Sequence, residues 1–185
     1  MKVLKIILII VAVLLVTLVA VYAYYGGFEK VEIKIERAGG ETIVYEEMTG
    51  DYAKTGEVTN NKVYYALLND SVETYKGIGI FYDDPKKVAK ENLRYEAGCI
   101  LENNIDSAKL EILKEKYKIK TLPEKEYLVS EFPFKGMMSV LVGIMKVYPA
   151  VDKYLEGKNI KKADAMMEIY DVPNKKLYYR MEMEE

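Results

Sequence analysis

The stretch "DAMMEIYDVP", residues 164–173, reads as a strand with one discordant residue. Side chains on a strand alternate between its two faces. Ala165, Met167 and Ile169 share one face, and Met166, Glu168 and Tyr170 share the other. Both faces look built for burial, yet a carboxylate stands between a methionine and a tyrosine.

A second stretch matches it. "IFYDDP" (80–85) lines up with "EIYDVP" (168–173), "KVYYAL" (62–67) with "KVYPAV" (146–151), and "LRYEAG" (93–98) with "LYYRME" (177–182). The offsets are 88, 84 and 84 residues, in the same order along the chain. An internal repeat of this kind is the first thing to seek in a sequence. Each unit, about 41–101 and 126–183, reads as strand, helix, strand, strand. Opening strands are expected at 41–48 and 126–132, helices at 54–69 and 137–156, and closing strands at 93–101 and 177–183.

The second helix carries Met137, Met138, Leu141, Val142, Met145 and Val151 at helical spacing, with Pro149 expected to kink it. Its methionines suit either core filling or an adaptable pocket wall. "DSAKLEILKEKYK" (106–118) opens with a capping signal and reads as a helix joining the units. "KEKYKIK" (114–120) reads as its solvated end.

Two such units predict an α+β fold. Duplicated strand-helix-strand-strand units form an antiparallel sheet with the helices on one face. The even offset of 88 sets Glu168 against Ile80, Met166 against Ile78 and Tyr170 against Tyr82, so these six residues are expected on one groove-facing surface. Tyr95, on the next strand, joins the same candidate set. In a purely structural arrangement Glu168 pairs across the sheet with Arg94 or Arg180. Arg94 and Glu96 read as a further pair, Cys99 as a small buried hydrophobe, and Tyr64, Tyr65 and Tyr148 as packing between helix and sheet.

The chain has 185 residues, with 27 Lys and Arg against 29 Asp and Glu. It opens with Lys2 and Lys5 and is then uncharged from Ile6 to Phe28. The nineteen residues Ile6–Tyr24 make a helix of roughly 28 Å, close to the hydrocarbon thickness of a bilayer. Tyr22, Tyr24 and Tyr25 lie where an interfacial aromatic belt belongs. Residues 1–27 are therefore expected to be a single-pass membrane anchor and 28–185 a folded domain. A cleaved signal peptide ending near Val21-Tyr22-Ala23 is the alternative. Lys2 and Lys5 favour a cytoplasmic N-terminus, but Lys30, Lys34 and Arg37 nearly cancel that bias.

The composition excludes several chemistries. There is no histidine and one cysteine, which removes histidine-based nucleophile triads, an intramolecular disulfide and thiolate or imidazole metal sites. "GGFEK" and "AGGET" lack the phosphate-cradling patterns, so no cofactor is implied. No basic cluster offers a nucleic-acid surface. Seventeen Tyr against four Phe and no Trp favour a wet aromatic groove over a dry core.

The duplicated unit with "YDDP…LRYEAG" and "MMEIYDVP" resembles the GyrI-like, or bacterial transcription-activator effector-binding, family over roughly residues 30–184. "GIFYDDP", "SEFPF", "KVYPAVDKYL" and "EIY", in this order after an apolar N-terminal segment, resemble the membrane-anchored testis-expressed endoplasmic-reticulum-phagy receptor family. The resemblance implies the strand-helix-strand-strand (SHS2) module and a groove between two pseudo-symmetric halves. That groove would bind a small lipophilic or cationic ligand, with Glu168 as polar anchor and Tyr170, Tyr82, Tyr95, Ile80 and Met166 around it. Some relatives are hydrolases, which makes a Glu168–tyrosine hydrolase the first rival; a protein-interaction scaffold is the second.

Overall fold

A computed structural model describes residues 2–102, 105–161 and 165–183. Asp164 of the opening stretch and the last two residues of the expected domain lie outside them. The apolar segment forms one helix, α1 (Lys2–Tyr24), with no residue buried against the domain. It is the one helix among the described residues long and apolar enough to cross a membrane, and a signal sequence meets the same criteria.

The rest is an eight-stranded antiparallel sheet with helices on one face. Its strands are β1 (Lys34–Ala38), β2 (Thr42–Thr49), β3 (Lys76–Phe81), β4 (Arg94–Ile100), β5 (Lys118–Thr121), β6 (Lys125–Pro133), β7 (Met166–Asp171) and β8 (Lys176–Glu182). Between β2 and β3 the chain runs through a short turn and then α2 (Thr55–Val58), a π-helical turn (Thr59–Tyr64) and α3 (Tyr65–Asn69). Helix α4 (Ser107–Lys116) joins the halves, and α5 (Met137–Lys158) lies between β6 and β7. Each half thus runs strand, helix, strand, strand. Pro149 sits inside α5, which continues past it.

The sheet must curl. In the order β1-β6-β8-β7-β3-β4-β2-β5, strands β1 and β2 stand six steps apart. On a flat sheet that is about 29 Å. Only Gly39, Gly40 and Glu41 connect them, and four Cα–Cα steps reach about 14 Å. The same shortness holds from β5 to β6, joined through Leu122, Pro123 and Glu124. The two crossing loops bind each other, Gly40 N to Leu122 O and Leu122 N to Glu41 O, both at 2.9 Å. Gly39 has φ +101°, and a Cβ there would lie 1.9 Å from Pro123 O, so no other residue lets the loops pass this closely.

Curling gives each face its own core. The inner face gathers Ile43, Ile78, Ile80, Tyr127, Val129, Met167 and Ile169 without a helix to cover them. The outer face packs Leu128, Phe132, Leu177, Tyr179 and Met181 under Val140, Val147, Val151 and Leu155 of α5. A second outer cluster sets Val44 and Cys99 under Val63 and Leu67.

Three sequence readings need correction. "KEKYKIK" does not end as a helix: α4 stops at Lys116, and Lys118–Thr121 pairs with β2 as an edge strand. Strand β1 is not among the expected strands, although Val31, Ile33 and Ile35 alternate with charged residues; it is short, mostly exposed and paired with β6. Arg94 and Glu96 share a face of β4 but are not a pair, because each is taken by a partner from another segment. Arg94 binds Asp83 at 2.8 Å and Glu96 binds Lys120 at 2.5 Å.

Candidate functional site

A groove of about 1650 Å³ lies on the outer face, between α5 on one side and the α2–α3 segment on the other. Its floor comes from β3 and β7, the paired central strands. Gly77 and Gly79 keep that floor low: a Cβ on Gly79 would lie 2.8 Å from the Phe81 ring and 3.2 Å from Thr55 of α2. Walls of Phe81, Phe134, Met137, Leu141, Ile144 and Met145 are apolar, with Tyr52, Tyr64, Tyr148 and Tyr170 interleaved. The π-helical turn lines the groove through Thr59, Asn60 and Tyr64; such turns inside helices concentrate at functional sites.

Glu168 sits on the floor, 2 % exposed. Its two oxygens accept from two hydroxyls, Oε1 from Tyr148 at 2.8 Å and Oε2 from Tyr170 at 2.7 Å. No lysine or arginine pairs with it among the described residues; Arg94 goes to Asp83 and Arg180 to Glu41. Burial pushes the Glu168 carboxyl above its ordinary range, and the Tyr170 and Tyr148 hydrogen bonds pull it part of the way back. Both tyrosines are held well above the usual phenol range by burial first and by the Glu168 charge second. They remain donors, so the site is a buried carboxylate solvated by neutral hydroxyls.

Tyr179 completes the cluster. It stands opposite Glu168 on β8, with its ring edge-on to Tyr148 at 6.1 Å. Its buried hydroxyl has no partner among the described residues, and burial raises its pKa further than the nearby Glu168 charge does. The hydroxyl points at α5, where a Cβ on Gly143 would be 2.2 Å away. Gly143 is thus the space in α5 that admits the Tyr179 ring.

The profile of the GyrI-like small-molecule-binding domain matches residues 32–183, nearly the whole of this sheet and its helices. The chain belongs to the GyrI-like family. Testis-expressed protein 264 homolog of Mus musculus is 26% identical over 134 residues, which is 70% of this chain and 41% of the mouse protein. The Homo sapiens protein matches to the same extent. The chain thus spans about two fifths of the length of those curated relatives. Among solved structures, EcmrR bound to DNA has a TM-score of 0.60 at 10% identity, over 92% of this chain and 65% of that one. SAV2435 bound to tetraphenylphosphonium has a TM-score of 0.50 at 13% identity, over 83% of this chain and 94% of that one. At these identities the likeness is one of fold.

Within this GyrI-like domain the residues expected at the site divide. Glu168, Tyr170 and Met166 line the groove together. Ile80 does not reach it. In the register of β3 and β7, Gly77 stands opposite Tyr170, Gly79 opposite Glu168 and Phe81 opposite Met166. Ile78 and Ile80 face Ile169 and Met167 and point into the inner core. Residues directly opposite share a face, so the 88-residue offset is one residue out of phase with the pleat. Tyr82 touches the groove rim, but its ring packs on the inner cluster, and burial first and the nearby Glu96 second raise its pKa. Tyr95 is on the groove side yet is buried beneath Phe81 and Tyr52.

Tyr148 is the residue that sequence reasoning left in the packing layer. A signal for it existed. In the match of "KVYYAL" with "KVYPAV", Tyr148 aligns with Tyr64, and both line the groove. Met137, Met138 and Met145 are exposed, not core.

Proposed function

We propose that residues 28–185 bind a small lipophilic molecule, cationic or hydrogen-bond-donating at one end, on a chain tethered to a membrane by residues 1–27. The observation that supports this is the state of Glu168. A buried carboxylate without a cation is costly unless its lone pairs are satisfied. Two tyrosine hydroxyls satisfy them here but leave the negative charge uncompensated. A cation entering the groove meets that charge in a low-dielectric setting and finds aromatic rings around it. The apolar walls suit the body of the ligand, and the methionines suit bodies of varied shape. Both oxygens of Glu168 already accept from tyrosines, which fits an anchor better than a general base.

Tetraphenylphosphonium, the ligand of SAV2435, is the probe of choice. The full chain and its Glu168→Gln variant are compared in detergent by thermal shift, against a neutral triaryl analogue. At a hundred times Kd a native-state ligand adds about 2.7 kcal/mol, which for a unit of this size is a rise of roughly 5–10 °C. The expected result is a rise for the parent with the cation, and a smaller one for the variant. Equal shifts with cation and neutral analogue in both proteins refute the anchor role of Glu168.

A further inference from the structure

The end of α1 is not loose. Lys135 donates to Tyr24 O at 2.7 Å and stands 4.8 Å from the Tyr24 ring centre. Lys146 donates to Gly27 O at 2.7 Å and to Glu29 O. Tyr25 packs on the outer core beneath α5. The last carbonyls of a helix lack intrahelical partners, and cations are favoured there. Lys135 supplies partner and charge to the last carbonyl of α1, and Lys146 holds the carbonyls just beyond it. Lys135 lies two residues before α5, ahead of its N-cap Gly136, and Lys146 lies in its third turn, so the first three turns of α5 run alongside the segment where α1 ends.

Those same turns carry an apolar stripe. Met137 is 65% exposed, Met138 47%, Leu141 49% and Met145 74%. Single exposed hydrophobes are ordinary, but a contiguous set on one helix marks an interaction surface. Met137, Leu141 and Met145 also form a lip of the groove. The stripe is therefore continuous both with the seat of α1 and with the groove mouth.

We propose that this stripe rests in the headgroup region of the bilayer that α1 spans, and that the groove takes its ligand from the membrane rather than from water. The ligand class is a membrane-partitioned amphiphile whose donor or cationic head reaches Glu168 while its body lies against the α5 wall. This rests on reading α1 as an anchor and the groove as a binding site. An apolar helix face gains free energy by entering the headgroup–acyl boundary, and here α1 already delivers that face to the correct depth.

The test uses the full chain in vesicles of phosphatidylcholine carrying a diazirine near the glycerol end of one acyl chain. After irradiation, trypsin cuts at Lys135 and Lys146 and releases residues 136–146, which hold the whole stripe, as one peptide. The expected result is lipid adducts on this peptide as well as on α1. In the Leu141→Glu/Met145→Glu variant the peptide adducts fall about ten-fold while those on α1 persist. Adducts confined to α1 in the parent overturn the proposal. Adducts on neither overturn it together with the anchor. Tetraphenylphosphonium bound by the parent in excess of Glu168→Gln, measured in the same vesicles, reports separately on the groove. Excess binding with an unlabelled stripe means that the groove fills from water and only this proposal falls.

Discussion

Replacing Gly143 by alanine sets two effects against each other, and the structure decides between them. In a helix interior, glycine to alanine gains about 1 kcal/mol from propensity. The new methyl, however, would sit 2.2 Å from the Tyr179 hydroxyl, 3.1 Å from its Cζ and 3.2 Å from Phe132 Cδ1. A relaxed contact needs the ring to retreat by about 1 Å, and overpacking of this kind costs about 1–3 kcal/mol. Tyr179 has nowhere to retreat: it is 2 % exposed and packs edge-on against Tyr148. The upper end of that range applies, about 3 kcal/mol, and the net is about 2 kcal/mol of destabilisation after the propensity gain.

For a unit of this size the expected fall in Tm is roughly 4–8 °C, read by circular dichroism of the full chain in detergent. Because Tyr148 holds Glu168, cation binding weakens as well. Tyr179→Phe removes both the nearest atom and a buried hydroxyl that has no partner among the described residues. That single change is expected to be neutral or stabilising by about 1 kcal/mol. Combined with Gly143→Ala it restores the parental Tm, a coupling of about 1–2 kcal/mol and within the range seen for contacting residues. A Gly143→Ala protein that melts at or above the parent, or one that Tyr179→Phe does not rescue, refutes the reasoning.

Two further outcomes follow from the buried groups. The Glu168 carboxyl is raised above its unfolded value by burial. Its contribution to stability is therefore fully present below the unfolded pKa and is lost as pH rises through the folded one. The Tm of the parent minus that of Glu168→Gln should fall as pH is raised through this window, and a difference that stays flat or grows contradicts a desolvated acid. Cys99, buried on β4, is pushed up to about 11 by its surroundings. The native chain should resist a disulfide reagent at pH 8 and react fully once unfolded in denaturant; fast native labelling contradicts the packing of β4 beneath α3.

Much of the fold was legible because its signals are local and strong. The uncharged run to Phe28, the Asp106 cap that accepts from Lys109 N at 2.7 Å, and the matched turn motifs each need only a few neighbouring residues. What escaped was non-local. Strand β5 alternates Lys118, Ile119, Lys120 and Thr121, with one apolar residue to mark it, and its pairing with β2 comes from the crossing loops. The phase of β3 against β7 also escaped. A matched motif gives an offset along the chain, but the face a residue presents depends on pairing between strands, and one residue of slip inverts it. Hence the matched motif sets Ile80 in the groove, whereas the strand pairing sets Gly77 and Gly79 on that face. Tyr148 is marked in the sequence only by its match with Tyr64, because its partner, Glu168, lies on a different element and no spacing rule links a helix to the strand beneath it.

The discordant acid of β7 also has an explanation in what does not accompany it. A buried carboxylate in the middle of a sheet usually invites an arginine, and one such residue stands on the neighbouring strand. Arg180 is opposite Met167, however, on the other face, where it binds Glu41 at 2.6 Å. On the groove side the register offers Tyr179 and Gly79 instead. Hydroxyl donors and a cation solve different halves of the burial problem. Donors fill the lone pairs and lower the cost of desolvation, whereas a cation also cancels the field. An arginine at this place would stabilise the empty groove and leave nothing for a ligand to complete. With tyrosines the carboxylate remains a structure-compatible but unneutralised charge, raised in pKa, beneath an apolar channel. On the reading proposed above, the free energy left unclaimed in the empty protein is what a cationic or proton-donating guest would collect on entry, and the residues that make the fold tolerable would also make the site selective.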